Sequence, residues 1–352
     1  MPLVDGALLP RVFLPSALAA CGDAGAGAAG SGDDTAAATA NADTATGSAA
    51  DGTGGEDDAS GAGGSGGAEW WTPQPGEHAD WDWQITEPYD VSVARSMYDL
   101  DLFDLATEGS YLEHPSGVKI DVPAGPLAGT IDELHARTPR AIVICYVDTG
   151  AYEHYRPDAS AFPGYHADIA DIPDGSAPED GSVIGWNTGW DEERWLDIRE
   201  GIRDAFAPIV WARLDLAVRL GCDGVEPDQN NPLDNGPGFD ITLDDQISWY
   251  QAVAAAAHDR GLSVGMKNGH DQPGAVDALV DAFDWALPEE CAEYDECDTL
   301  QPFIAADKAV FAVDYMGSVD PDAACSTHAA AGFDGLVKDE PPSGAYRRGC
   351  NE

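Results

Sequence analysis

Between Trp81 and Asp339 the chain alternates eight times between a short apolar or alternating run and, in most intervals, a stretch with helical spacing. Few architectures accept that order. The runs are Trp83–Glu87, Tyr98–Phe103, Ala141–Val147, Gly224–Asp228, Leu262–Lys267, Asp284–Glu289, Ala309–Tyr315 and Gly335–Asp339. Among the helical stretches, Leu243, Ile247, Tyr250, Val253 and Ala257 follow one face, Thr242 with Asp244 and Asp245 caps its start, and Gly261 ends it. Arg194 to Leu220 reads as a second long helical region, bent at Pro208. Eight strands joined by crossover helices predict an α/β fold, a (β/α)8 TIM barrel. The alternative is a doubly wound open sheet, which is weaker because no Gly-rich phosphate loop follows any strand. No solenoid-type repeat is present.

The barrel domain is expected over residues 69–352, and what precedes it has a different character. Residues 1–21 place Arg11 before the apolar stretch Val12 to Ala20, the pattern of an export signal. Its ending, Leu18-Ala19-Ala20-Cys21, resembles a bacterial lipobox, which implies lipidation at Cys21. Residues 22–68 are rich in Gly, Ala, Ser, Thr and Asp with no aromatic, Lys or Arg, so a disordered acidic linker is expected there. The predicted location is exported, lipid-anchored at the bacterial cell envelope or surface, and otherwise secreted. No run of 18 apolar residues is present, so contact with a membrane is expected only through the anchor.

The chain carries 17 Lys+Arg against 64 Asp+Glu, a formal charge of −47. Nucleic acid is thereby excluded as a partner, since its binding rests on cations neutralising phosphates. Most of the acid belongs to the domain, because residues 1–68 hold nine acids and one base. Such acidity suits either long-range attraction of a cationic substrate or adaptation to salt. Of seven cysteines, setting Cys21 aside leaves six, enough for three disulfides in an exported protein. Proximity in sequence makes Cys291 with Cys297, and Cys325 with Cys350, the candidate pairs; Cys145 and Cys222 are either bonded or simply buried. No cysteine or histidine cluster has zinc spacing, so neither a metal nor a cofactor is expected.

Chemistry in such a barrel gathers at the carboxyl ends of the strands. Several runs end there in ionisable residues: Tyr146-Val147-Asp148, Glu226-Pro227-Asp228, Lys267-Asn268, Glu289-Glu290, Asp314-Tyr315 and Lys338-Asp339. Carboxylates clustered there, without a nucleophilic Ser or Cys motif, point to acid/base or glycosyl chemistry. A glycosidase needs one carboxyl to protonate the leaving oxygen and a second, ionised, as nucleophile or base. Asp228 and Glu289, on runs four and six, are placed to face each other across the mouth. The alternative for the pair is a structural salt bridge.

Longer stretches then carry a resemblance. Ile144-Cys145-Tyr146 with Gly150-Ala151-Tyr152-Glu153 and Arg156-Pro157-Asp158, then Trp195 to Arg199, then Gly221-Cys222-Asp223-Gly224-Val225-Glu226-Pro227-Asp228 look like segments of glycoside hydrolase family 114. Trp81-Asp82-Trp83-Gln84, Val264-Gly265-Met266-Lys267-Asn268 and Glu289-Glu290-Cys291 with Glu296-Cys297 are similar to others, in the same order. The resemblance implies a (β/α)8 barrel and endo-α-1,4-polygalactosaminidase activity. It also implies catalysis by Asp228, as nucleophile or ionised stabiliser, and Glu289, as general acid/base. Against a cationic amino-sugar polymer, Asp82, Asp148, Glu153 and Glu226 become candidate holders of ammonium groups. Trp83, Tyr146 and Tyr315 become candidate sugar platforms, with core packing as their alternative. Lys267, beside Asn268, is expected to hold a catalytic carboxylate rather than to act as a nucleophile.

Three departures from the family pattern bear on the substrate: Pro288 where Asn is usual, Asp148 where a small Ser is usual, and Gln229-Asn230 after Pro-Asp. The function expected is therefore an exported, monomeric hydrolase of an α-1,4-linked galactosamine-type polysaccharide. The alternatives are a hydrolase of another α-linked polysaccharide, a non-catalytic carbohydrate-binding surface lipoprotein, and an adhesin whose acids bind cations.

Overall fold

The structure is a computed structural model that describes residues 70–114 and 116–351. The signal and linker expected over residues 1–21 and 22–68, with Cys21, lie outside the described residues. Eight parallel strands follow one another in chain order. They are β1 (Asp82–Gln84), β2 (Met97–Asp101), β3 (Ile142–Asp148), β4 (Gly224–Asp228), β5 (Ser263–Lys267), β6 (Trp285–Leu287), β7 (Val313–Tyr315) and β8 (Leu336–Lys338). The first six form one sheet in that order. Strands β7 and β8 pair with each other. Single parallel bridges, Ala286 to Val310 and Glu289 to Val313, join β7's segment to that of β6. A further bridge, Thr86 to Ser343, brings the chain beyond β8 beside the chain beyond β1. The result is a curled parallel sheet whose order never reverses, so the switch point of an open doubly wound sheet is missing.

Alternation along these strands decides what faces where. Outward residues such as Leu100, Val143, Cys145, Val225, Val264 and Ala286 pack with helix residues in one large apolar layer. Inward residues Met97, Ile144, Trp285, Leu287, Val313 and Leu336 form a second, with Trp81, Trp83 and Phe311. The same period of two aims Asp99, Tyr146, Asp148, Glu226, Asp228, Lys267 and Tyr315 to the inside. Two glycines allow the close approaches this requires. A Cβ on Gly265 would meet the Trp285 ring at 2.3 Å, and one on Gly150 would meet the carbonyl oxygen of Gln229 at 1.8 Å.

The helices are α1 (Thr130–His135), α2 (Ala207–Leu220), α3 (Leu243–His258), α4 (Ala275–Leu279), α5 (Gln301–Ala305) and α6 (Pro321–Ala331). Helix α3 begins where its sequence says it should. Thr242 and Asp245 close a reciprocal capping box. The long helix expected from Arg194 is not there. Glu193–Leu196 is a strand, antiparallel to both Ala151–Glu153 and Ile184–Asn187, and Pro208 opens α2 instead of bending it. Trp195, Leu196 and Ile198 have helix-like spacing, but pairing with two neighbours outweighs it. At the first turn of a helix proline's missing N–H costs nothing. Three disulfides are formed: Cys145–Cys222, Cys291–Cys297 and Cys325–Cys350.

Candidate active site

The inward positions of three neighbouring strands meet at Lys267. Its Nζ lies 2.8 Å from Glu226 Oε1, 3.0 Å from Asp228 Oδ1 and 3.2 Å from Glu289 Oε2. An ammonium has three protons to give, and here three carboxylates take them. Despite burial, Asp228, Glu226 and Glu289 hold the lysine well above its ordinary pKa, so it stays a cation. The layering is clear from exposure. The Lys267 and Glu226 side chains are 1 % and 0 % exposed, whereas Asp228 and Glu289 are 12 % and 22 % exposed. Two carboxylates thus look outward from a buried ionic base.

Each of the outer pair is oriented by further donors. The Tyr146 hydroxyl donates to Asp228 Oδ2 at 3.0 Å, and the Gln229 N–H to Oδ1 at 2.8 Å. The Tyr315 hydroxyl donates to Glu289 Oε1, and Asn268 Nδ2 to Oε2 at 2.7 Å. Asn268 Oδ1 in turn accepts from the Glu289 N–H at 2.9 Å, next to the Pro288 that has no N–H to offer. Burial opposes ionisation of Glu289, but Lys267, Tyr315 and Asn268 together hold its pKa below the ordinary value. The loop after Asp228 is stapled as well, by Asn230. Its Oδ1 accepts from Trp249 Nε1 at 2.7 Å and Thr149 Oγ1 at 2.8 Å. Gln229, Asn268 and Glu290, each immediately after Asp228, Lys267 or Glu289, have φ of 59°, 48° and 59°. Three non-glycine residues in the left-handed region, all at strand exits of one site, are the backbone strain that functional positions tend to carry.

Beneath the pair, Trp83 Nε1 donates to Glu226 Oε2 at 2.9 Å, and its ring faces Lys267 Nζ at 4.8 Å. Burial, then Asp228 and Glu289, push Glu226 up to about 7 in spite of Lys267. Asp99 on β2, fully buried beside it, is raised well above its ordinary value by burial and by Glu226.

Several expected ligand-binding residues have other work. Trp83 is 1 % exposed and has no face left for a sugar; Tyr146 and Tyr315 are also buried and spend their hydroxyls on the pair. Asp82 accepts from Lys338 Nζ at 2.8 Å, the Trp83 N–H at 2.9 Å and Gln84 Nε2 at 2.8 Å, a structural tie between β1 and β8. Glu226 is committed to Lys267 and Trp83. Glu153 accepts from Arg156 Nε at 2.6 Å and Arg213 Nη1 at 2.7 Å, so both its oxygens are taken. Those guanidiniums pull Glu153 down in spite of burial. Only Asp148, of the four acids expected to hold ammonium groups, keeps an oxygen free. Its Oδ1 accepts from the Ala151 N–H at 2.8 Å, while buried Oδ2 has no hydrogen-bond partner.

Glu193 stands beside it, a residue that sequence reasoning did not select. Carboxylate oxygens of Asp148, Glu153 and Glu193 lie within 4.8 Å of one another. It lies just before the helical region expected from Arg194, whereas alternation in the strand puts it on the same face as Trp195. As a metal site this trio fits poorly, because two arginines already occupy Glu153. Cys291, Cys297 and His328 also lie close together, but the two sulfurs are joined in a disulfide and offer no thiolate.

A curled parallel sheet with two hydrogen-bonded carboxylates at the carboxyl ends of its strands is the equipment of a glycoside hydrolase. The chain belongs to Glycoside-hydrolase family GH114, whose family model matches residues 62–351. It is similar to Aspergillus fumigatus Ega3, solved in complex with galactosamine. The two are 30 % identical, with a TM-score of 0.56, over 80 % of this chain and 97 % of that one. It is also similar to the glycoside hydrolase domain of PelA from Pseudomonas aeruginosa, at 14 % identity and a TM-score of 0.49, over 77 % of this chain and 98 % of that one. No curated protein matches the chain.

Proposed function

We propose that this chain is an exported hydrolase of an α-1,4-linked galactosamine-type polysaccharide, with Asp228 and Glu289 as its catalytic carboxylates at the mouth of a (β/α)8 barrel. The observation that carries the reading is the Lys267 junction. One buried cation fixes two outward carboxylates, each with its own tyrosine. The amino-sugar substrate is supported by the similarity to a protein solved with galactosamine, and by the −47 charge of the chain, which suits a polycation. Export is supported by the Leu-Ala-Ala-Cys21 ending and by three disulfides, which persist in oxidising compartments. In this reading Cys21 carries a lipid anchor and residues 22–68 tether a monomeric catalytic domain to the envelope.

We take the retaining route, in which the second carboxylate attacks the sugar. Because Asp228 Oδ1 and Glu289 Oε2 sit 3.0 and 3.2 Å from one Nζ, their separation cannot exceed the two lengths together. That bound concerns only the two oxygens that share Lys267; retaining carboxyl groups stand about 5–5.5 Å apart and inverting ones roughly 6.5–9.5 Å. Asp228 attacks the anomeric carbon while Glu289 gives its proton to the leaving oxygen, forming a glycosyl ester. Glu289 then takes a proton from water, which attacks the same carbon and releases the sugar. Lys267, Tyr315 and Asn268 favour the ionised form of Glu289, so it takes its proton from solvent as a bound sugar strips water from its exposed face.

New reducing ends released from de-N-acetylated α-1,4-galactosamine polymer test the proposal. Wild type should release them with the α-anomer formed first, seen by NMR. Glu289→Gln and Asp228→Asn should each lower the rate by at least 10²–10⁴-fold with the circular dichroism spectrum unchanged. Release from neutral α-glycans alone would move the substrate. Release by both variants at the wild-type rate would overturn the assignment.

A further inference from the structure

We propose that Asp148 and Glu193 form a pocket for the ammonium group of the sugar whose anomeric carbon meets Asp228. This deepens the reading above and rests on it. The local charge count leads there. Arg156 is spent on Asp101, at 3.0 and 2.5 Å, and on Glu153; Arg213 is spent on Asp158, at 2.8 and 2.9 Å, on Glu153 and on the Asp148 carbonyl oxygen at 3.0 Å. Two guanidiniums therefore serve Asp101, Asp158 and Glu153, and neither donates to the Asp148 carboxylate or to Glu193. Asp148 is completely buried, and its Oδ2 has no donor. Glu193 is only half-buried; its oxygens lie 3.5 Å from the Tyr155 hydroxyl and 3.3 Å from that of Thr188. Asp148 is therefore the buried member of the pair and Glu193 the one open to solvent.

Three features select an ammonium. It has donors and no acceptor, which suits two carboxylates whose oxygens are only partly taken, by the Ala151 N–H and the Thr188 and Tyr155 hydroxyls. It is a small single charge, whereas a divalent ion would also claim the Glu153 oxygens that two arginines hold. Its place is right as well. Asp148 and Asp228 are register partners on adjacent strands, about 4.8 Å apart. In a 2-amino sugar the nitrogen sits one carbon from the anomeric centre. Without a cation, burial and then the neighbouring carboxylates raise both acids, Glu193 to about 8. Around Glu193 these neighbours are Glu153 and Asp228 against Arg156, with Thr188 donating. Uptake of an ammonium near neutral pH therefore releases protons.

Isothermal titration calorimetry with a de-N-acetylated α-1,4-galactosamine tetrasaccharide and its N-acetylated counterpart tests the pocket. Wild type should bind the amine form at least tenfold tighter, with net proton release seen as buffer-dependent heat. Asp148→Asn, which keeps the acceptor for Ala151, and Glu193→Gln should each lose that preference. In each variant the amine and N-acetylated forms should bind nearly alike. Equal binding of the two sugars by wild type, no binding of either, or preference retained in both variants overturns the proposal. So does stoichiometric Ca²⁺ binding that Glu193→Gln removes, which would make this a metal site. Hydrolysis is scored separately: turnover without amine preference sinks the pocket and spares the hydrolase, and amine-selective binding without turnover does the reverse.

Discussion

Tyr315 and Glu289 show how a single hydroxyl can set a working pH. Lys267, Tyr315 and Asn268 stabilise the ionised form of Glu289, so removing one donor raises its pKa. Tyr315→Phe should shift the alkaline limb of the kcat/KM profile upward by about half to one pH unit, the worth of one net hydrogen bond. The kcat limb, which reports the substrate complex, should lie above the kcat/KM limb in wild type. Coincident limbs, or none that moves, would remove Glu289 from the acid/base role. At this scale much of the site was legible. Asp228 and Lys267 end strands, Tyr146 lies two residues before the end of β3 and Glu289 two residues beyond β6, and the exit of a strand at the mouth of a curled parallel sheet is a small target. Asp99 and Glu193 were not legible, for different reasons. Asp99 lies mid-strand, where only knowing which face is inward marks it, and Glu193 lies immediately before a stretch whose spacing suggests a helix.

The strands were readable as elements because burial on both faces leaves near-continuous apolar runs, and only their ends shift by a few residues. The excursion between β3 and α2 was not, because its three short antiparallel strands owe their form to one another more than to local preference. The Cys145–Cys222 bridge belongs to this scale. It joins β3 to the turn before β4 across 77 residues, and these two strands carry Asp148 and Asp228. Replacing both cysteines by alanine should cost about 2–4 kcal/mol of stability, since so long a loop is freed in the unfolded chain. Urea denaturation at pH 6 would measure it. An unchanged midpoint would mean that strand pairing alone fixes β3 against β4.

Over the whole molecule, acids dominate and pull in two directions. Glu226 and Glu290 are raised to about 7 and Glu193 to about 8, each first by burial. The folded state therefore binds protons that the unfolded state has released above about pH 4.5. Stability from these groups is present at low pH and lost as pH rises through 7 and 8. The urea midpoint at constant salt should fall between pH 5 and 8. A rise across that window would show that these acids are ionised in the folded protein. The same surplus of acid attracts a polycation over several ångströms of water. Raising salt from 50 to 500 mM should lower kcat/KM on the de-N-acetylated polymer severalfold, and leave an uncharged oligosaccharide unaffected. Equal salt response of the two substrates would assign the acidity to solubility or salt tolerance instead.

The ion cluster draws Lys267 from β5, Glu226 and Asp228 from β4, and Glu289 from just beyond β6. Its supporting donors come from β1, β3 and β7. The four charged members all lie between Glu226 and Glu289, but two of the donors that hold them, Trp83 and Tyr146, come from β1 and β3. A fragment that began after β3 would therefore keep all four charges and lose two of the donors that orient them.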